Sequence, residues 1–255
     1  MFGDVKSLPS APHTYLQLVE VAARRDSNLA SIARVIEVNP ALGGTVLQLV
    51  NSVFFGRNQQ TTTIQQAISR IGVESLKAVV LSAHVFSASH AVAGVSLEQF
   101  QAYSLRVARL TRDFVSPARR DEAFTTGLVH DIGKLVLGKR TPDEVIALAN
   151  FAATSPEEIY LLEREHLGMC HAEAGACLLA LWRIPPQIVS AVRYHHQPSM
   201  HPGEPSEVLA AVHAADLLIG ILTCGEPESR LDVEYLKRAG VADRLPRWRE
   251  LVLAG

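Results

Sequence analysis

Helix-start signals recur along this chain, and they restrict it to helices joined by short connections. Asn39-Pro40 reads as an N-cap followed by proline at the first helical position. Ser96 with Gln99, Thr141 with Glu144 and Ser155 with Glu158 have the spacing of capping boxes, and Pro142 and Pro156 again sit at first helical positions. Pro185-Pro186 opens another helix after Trp182-Arg183-Ile184. Between these starts, apolar residues return every three or four positions: Leu16, Val19 and Ala23 on one face, and Leu29, Ile32, Ala33 and Ile36 on another. Leu105, Ala108, Thr111, Arg112 and Val115 form a more mixed face. Strand signals are nearly absent. The expectation is an all-α chain of roughly thirteen short-to-medium helices packed as a bundle.

The chain has 255 residues, 48% hydrophobic and 20% charged, enough for one large domain or two small ones with a true core. Its formal net charge of −2 argues against bulk attraction to nucleic acid or an acidic membrane, local patches aside. No DNA-reading helix pair is recognised. The opening MFGDVKSLPSAP lacks the charged and apolar regions of a signal peptide. Lys77, His84 and His90 interrupt the apolar stretch Leu76–Gly94, and His213 and Asp216 interrupt Leu209–Leu222. Both therefore read as buried helices rather than membrane spans. Cys170, Cys177 and Cys224 are odd in number and form no CxxC pair. They read as small apolar groups in a reducing cytoplasm rather than a zinc site, with the first two on one helix face.

The expected division is 1–95 for an N-terminal helical subdomain, 96–225 for a second helical subdomain and 226–255 for a basic C-terminal helical tail, in which Lys237–Arg249 reads as a solvated face. Small residues around Ala91, Ala93 and Gly94 precede the fresh cap at Ser96. Histidine supports the division: His13, His84 and His90 in the first part have no ligand spacing, and the others fall later.

Five features of the second part carry chemistry. His130-Asp131 lies in GLVHDIGKL; adjacent side chains on a helix diverge by about 100°, yet both can meet an ion placed beyond them. Gly127 and Gly133 on either side let other helices approach closely. His171 lies in GMCHAEAG, and His195-His196 stand near a helix end before Pro198. Imidazoles there suit zinc, iron or manganese. Asp216, among Ala, Leu and Ile, needs a metal, a histidine or a helix N-terminus as partner. Lys134, one turn after His130, could hold a phosphate. Taken singly, each has a plainer reading: a hydrogen-bonded core histidine, a surface lysine, a salt-bridged aspartate.

In order, HD, His-x-x-x-Gly, His-His and Asp resemble the HD superfamily of metal-dependent phosphohydrolases. The wording is similar to its HD-GYP branch, and above all to the HDOD (HD-related output domain) family. LPSAPHTYLQLVEVA, IARVIEVNPALGGTVLQLVNSVFFG and TTTIQQAISRIGVESLKAVVL resemble the HDOD front region, and HAEAGACLLALWRIP and HHQP its later phrases, so the likeness runs from about Leu8 to Ile221. It implies an HD-superfamily helical bundle, a bacterial signal-transduction role, and His130, Asp131, His171, His195, His196 and Asp216 as the metal set. The departures are specific. Tyr103 stands where HD enzymes place their first ligand histidine, in Tyr103-Ser104-Leu105-Arg106-Val107-Ala108, and Gln99 stands where some HD-GYP members have a glutamate. The GYP signature is absent, and Asn39-Pro40 replaces the usual Asp-Pro. A neutral phenol is a poor substitute for imidazole, and the lost ligand lowers metal affinity. The six remaining residues could still hold iron, manganese, zinc or magnesium, or form a hydrogen-bond network with no ion.

Three functions follow. The leading one is a regulatory HDOD module without catalysis, acting on signalling partners, with Phe54 and Phe55 either a partner surface or filling between the two halves. The second is a phosphohydrolase or phosphodiesterase acting on a nucleotide or cyclic dinucleotide, with Lys134 on the phosphate. The third is a nucleotide binder using Arg106, Arg109 and Arg112 as an anion stripe, against the plainer reading of a solvated face.

Overall fold

The computed structural model describes residues 11–52, 60–88, 96–152, 159–224 and 227–254. Phe54 and Phe55, and the expected cap at Ser155, lie outside them. The described residues are helical, with no strand among them. The chain divides into two compact units, Ser10–His90 and a second comprising Ala91–Gly255 with Met1–Pro9.

The first unit holds α1 (His13–Ala22), α2 (Leu29–Glu37), α3 (Pro40–Val50) and α4 (Ile64–Ala88). Helix α2 starts at a reciprocal cap: Asn28 Oδ1 accepts from the Ser31 N–H while Ser31 Oγ accepts from the Asn28 N–H. Asn39 caps α3 through the Leu42 N–H, with Pro40 at the first helical position as expected. Asn51, just past α3, clamps Thr61: its amide donates to the Thr61 carbonyl at 2.7 Å and accepts the Thr61 N–H at 2.8 Å. The clamp gives the Asn-Ser phrase a structural purpose, pinning the start of α4 to the end of α3. Gly72 (φ 79°, ψ 165°) interrupts α4 in a conformation that other residues resist.

The second unit runs through α5 (Leu97–Phe114), α6 (Arg120–Val129), α7 (Gly133–Arg140), α8 (Pro142–Ala152), α9 (Ile159–Leu167), α10 (His171–Leu181), α11 (Pro186–Tyr194), α12 (Glu207–Cys224), α13 (Val233–Arg238) and α14 (Leu245–Ala254). Ser96 Oγ caps α5, and Pro185-Pro186 opens α11. Thr141 departs from its reading: its hydroxyl donates back to Leu137 O, closing α7, while its carbonyl accepts the first bond of α8. The core joins α5, α12 and the last two helices. Phe114 stacks on Trp248 with ring centres 4.5 Å apart, and Tyr235, Leu236, Val241 and Val252 are buried alongside. The segment from 226 onward thus contributes apolar side chains to this core, while its charged residues face outward. Cys170 is the buried N-cap of α10 rather than a residue within it, and Cys177 is half-buried.

Candidate metal centre

His130 and Asp131 do not share a continuous helix. Helix α6 ends at Val129, residues 130–132 form a turn, and α7 begins at Gly133. The turn presents both side chains toward α10, the end of α11 and the middle of α12. Close approach makes this possible. A Cβ on Gly133 would lie 1.9 Å from His171 O and 2.5 Å from Gly175 N, so α7 and α10 touch backbone to backbone. A Cβ on Gly127 would lie 2.7 Å from Ala108 Cα on α5.

Three imidazoles are oriented by the same device. His130 Nδ1 donates to Gly127 O at 2.7 Å, and His195 Nδ1 to Val192 O at 2.7 Å. His171 Nδ1 lies 2.6 Å from Glu163 Oε2, which also accepts the His171 backbone N–H at 2.8 Å. Fixing Nδ1 outward turns each Nε2 inward, the arrangement by which histidines are held for a metal. The inward atoms meet the carboxylates. His171 Nε2 lies 3.1 Å from Asp131 Oδ1, and His195 Nε2 3.8 Å from the same oxygen. His130 Nε2 lies 3.4 Å from Asp131 Oδ2 and 3.5 Å from Asp216 Oδ1. Potential ligand atoms of Asp131, His171, His195 and His196 fall within 4.8 Å of one another, and so do those of His130, His195 and Asp216.

Buried polar atoms show what this arrangement lacks. His130 Nε2, Asp131 Oδ1 and His195 Nε2 are buried and make no aligned hydrogen bond within the protein. Leaving such a group unsatisfied costs about 1–3 kcal/mol each. The three residues fall in two ligand groups that share His195, so a divalent cation in the first would engage Asp131 and His195, and one in the second His130 and His195. The mixed nitrogen and oxygen donors suit zinc, iron or manganese.

Tyr103 faces Asp216. Its hydroxyl donates to Asp216 Oδ1 at 2.7 Å and lies 3.2 Å from the Asp216 carbonyl. Lys134 Nζ pairs with Asp131 Oδ2 at 2.5 Å, from a side chain about one-third exposed (32%). Gln99 is exposed in the first turn of α5. Of the arginine stripe, Arg106 donates to Val252 O at 3.2 Å and Arg109 Nε lies 3.8 Å from Asp113 Oδ2 on the same helix. His213, outside the expected set, is a buried structural histidine donating from Nδ1 to His195 O and accepting the Asp232 N–H at Nε2.

Charge is partitioned sharply. Burial disfavours a charged His130, but Asp131 and Asp216 outweigh it and raise its pKa to about 10. His171 is also raised: burial and Lys134 oppose the charge, while Asp131 and Glu163 favour it. Burial pushes Asp131 up, but Lys134, His130 and His171 hold it well below the ordinary carboxylate range. Asp216 is likewise lowered, with His130 prevailing over burial. Burial and the charge on His130 lower His195 to about 3, and His196 also falls well below its usual value through burial and its imidazole neighbours. His130 is thus held as an imidazolium between Asp131 and Asp216.

Glu163 is the residue that sequence reasoning missed. It is one of two glutamates in YLLEREHL, with no spacing that ties it to His171 eight positions later, and its partnership depends on how α9 meets α10.

Comparison with known proteins agrees with the fold. A model of the HDOD domain family matches residues 8–198. An uncharacterized protein of Treponema pallidum is 25% identical over 236 residues; the match takes in 89% of this chain and 45% of that protein, so the chain spans about half its length. A structure described as an HDOD domain protein of unknown function from Geobacter sulfurreducens superposes with TM-score 0.73 at 21% identity, covering 97% of this chain and 88% of that one. A proposed phosphohydrolase from Shewanella amazonensis gives TM-score 0.75 at 23% identity over 98% of this chain and 91% of that one. A proposed signal transduction protein from Marinobacter aquaeolei gives 0.66 at 20%, covering 97% of this chain and 58% of that one. At these identities the structures speak for the fold.

Proposed function

The chain belongs to the HDOD domain family, and we propose that it serves as a signal-transduction module that works without catalysis, through protein partners or a bound ligand. The observation that carries this reading is the Tyr103–Asp216 hydrogen bond of 2.7 Å. Where a hydrolase of this superfamily would offer an imidazole, the chain offers a neutral phenol whose proton is committed to a neighbouring carboxylate. Hydrolysis needs an open coordination position beside the scissile phosphate. Tyr103 restrains Asp216, and Lys134 pairs with Asp131, so one oxygen of each carboxylate is already engaged.

Asp131, His171, His195 and His196 would hold an ion, with His130 and Asp216 beside them. When bound, the cation would supply the positive charge that satisfies Asp131 Oδ1 and His195 Nε2. Asp131 sits on the turn before α7, His171 opens α10 and His195 ends α11. Occupancy of the cluster would therefore set the spacing of these helices, a change that a partner protein can read. Among the described residues, no helix is long and apolar enough to cross a membrane.

Metal analysis of protein purified without chelator tests the ion. About one equivalent of divalent metal is expected, and His195→Ala, which removes the imidazole shared by both ligand groups, should abolish it. Metal content that is unchanged in His195→Ala places the ion elsewhere and contradicts the assignment.

A second reading, a metal-dependent phosphohydrolase acting on a nucleotide or cyclic dinucleotide, is favoured by the convergence of His130 Nε2, Asp131 Oδ1 and His195 Nε2. In that reading Lys134 exchanges Asp131 for a substrate phosphate. Turnover by the metal-loaded protein separates the two readings.

A further inference from the structure

His196 faces two ways. Its Nε2 lies 2.7 Å from His171 Nε2 within the ligand cluster, and the residue also lines a cavity of about 390 Å³ between α9, the start of α10 and the end of α11. Arg164, Glu173, Arg193, Tyr160 and Tyr194 line the same cavity. Its volume falls in the range of small-molecule sites, roughly 300–1,000 Å³.

Two features of the cavity point to an anion. Arg164 and Arg193, on different helices, converge on a single carboxylate oxygen: Glu173 Oε1 lies 3.4 Å from Arg164 Nη2 and 3.8 Å from Arg193 Nη2. Both distances are long for charge-assisted hydrogen bonds, which close to about 2.7–2.9 Å. The other oxygen of Glu173 accepts the Cys170 N–H at 3.1 Å, capping α10. Glu173 is thus tied to its own helix and satisfies two guanidiniums incompletely, leaving one positive charge in excess. The second feature is aromatic. The Tyr160 ring stacks on His196 with centres 4.6 Å apart and planes 5° from parallel, and the Arg193 guanidinium lies 5.8 Å from the Tyr194 ring centre. Flat surfaces beside a cationic pair suit a molecule that combines an anionic group with a planar ring.

We propose that this cavity binds a small phosphate-bearing molecule of mononucleotide size, its phosphate held between Arg164 and Arg193 and its ring against the aromatic wall. A phosphate presents oxygens in several directions, matching guanidiniums that approach from two helices, and its charge of about −1.5 to −2 at neutral pH meets the excess that Glu173 leaves. Glu173 stands in for the phosphate when the cavity is free, and repels it when it arrives. The proposal does not depend on the neighbouring cluster holding a metal.

The test is calorimetric titration of EDTA-treated protein with AMP, adenosine and inorganic phosphate. AMP is expected to bind, with phosphate weaker and adenosine weaker still. Arg164→Ala or Arg193→Ala should each weaken AMP by about tenfold to a hundredfold, the worth of a charge-assisted bond. Glu173→Gln keeps the carbonyl that caps α10 but removes the competing charge, and should tighten AMP by about threefold to tenfold. Circular dichroism on each variant confirms the fold; both arginine side chains are nearly half-exposed, at 44% and 45%, so truncation leaves no buried void. Absence of both AMP and phosphate binding overturns the proposal. So does AMP affinity indifferent to both arginines, or adenosine binding as tightly as AMP. Weaker binding in a folded Glu173→Gln variant refutes the role of the internal carboxylate, and phosphate binding without AMP refutes the assigned size.

Discussion

Gly133→Ala should damage this protein more than any other single added methyl among the described glycines. The new Cβ would lie 1.9 Å from His171 O, 2.5 Å from Gly175 N and 2.8 Å from His171 C. Non-bonded carbon contacts settle near 3.5–4.0 Å, so α7 and α10 would have to separate by more than about 1 Å. Every obstructing atom belongs to the backbone, and no side chain can rotate aside. Overpacking costs typically 1–3 kcal/mol, and here the upper end applies, about 3 kcal/mol. Better helix propensity returns less than about 1 kcal/mol, because Gly133 stands at the first position of α7. For a unit of this size each kcal/mol shifts the melting temperature by about 2–4 °C, giving a fall of roughly 4–12 °C. Differential scanning calorimetry on metal-free protein provides the measurement. Gly44→Ala is the control: a Cβ there meets nothing within 4 Å, and that exposed helical site should gain a few tenths of a kcal/mol or more. An unchanged or raised melting temperature in Gly133→Ala would refute the argument that this glycine exists to bring His171 beside Asp131.

Two further outcomes follow. Glu163→Gln keeps an oxygen for His171 but removes the charge that orients and supports it; manganese affinity, read by calorimetric titration, should fall about 10–100-fold, and unchanged affinity would deny Glu163 that role. Stability of metal-free protein should peak near pH 6.5, read from urea midpoints at pH 4.5, 6.5 and 8.5. His195, lowered to about 3 in the fold, contributes stability fully present above its unfolded value near 6.5 and lost as pH falls, about 2–3 kcal/mol by pH 4.5. His130, raised to about 10, contributes stability fully present below 6.5 and lost as pH rises, about 2–3 kcal/mol by pH 8.5. Asp131 and Asp216, both lowered, add to the loss on the acid side. Stability that climbs from pH 6.5 to 8.5 would show that His130 is not held as an imidazolium.

What could be read from the sequence was mostly local. Asn39, Ser96 and Pro185-Pro186 announce helices because a cap involves only the next three residues. The cap at Cys170 escaped notice because cysteine seldom fills that place, although Glu173 completes the reciprocal bond. Chain order brought His130, Asp131, His171, His195, His196 and Asp216 forward together, and the structure gathers their side chains. Order could not reveal that 130–132 form a turn, nor that Tyr103 reaches Asp216 across 113 positions. The stretch Lys237–Arg249 looked like a solvated face because its basic residues stand out. A period-based reading gives little weight to one tryptophan, yet Trp248 stacks on Phe114 and is only 2% exposed.

Hydrolysis by the metal-loaded protein tests the central claim most directly. Protein carrying one equivalent of manganese or iron, incubated with bis(p-nitrophenyl) phosphate or a cyclic dinucleotide, should turn over no faster than the His195→Ala variant under the same conditions. Turnover well above that control, and lost with Asp131→Asn, would show that the cluster is catalytic despite Tyr103 and would replace the regulatory reading with the phosphohydrolase one.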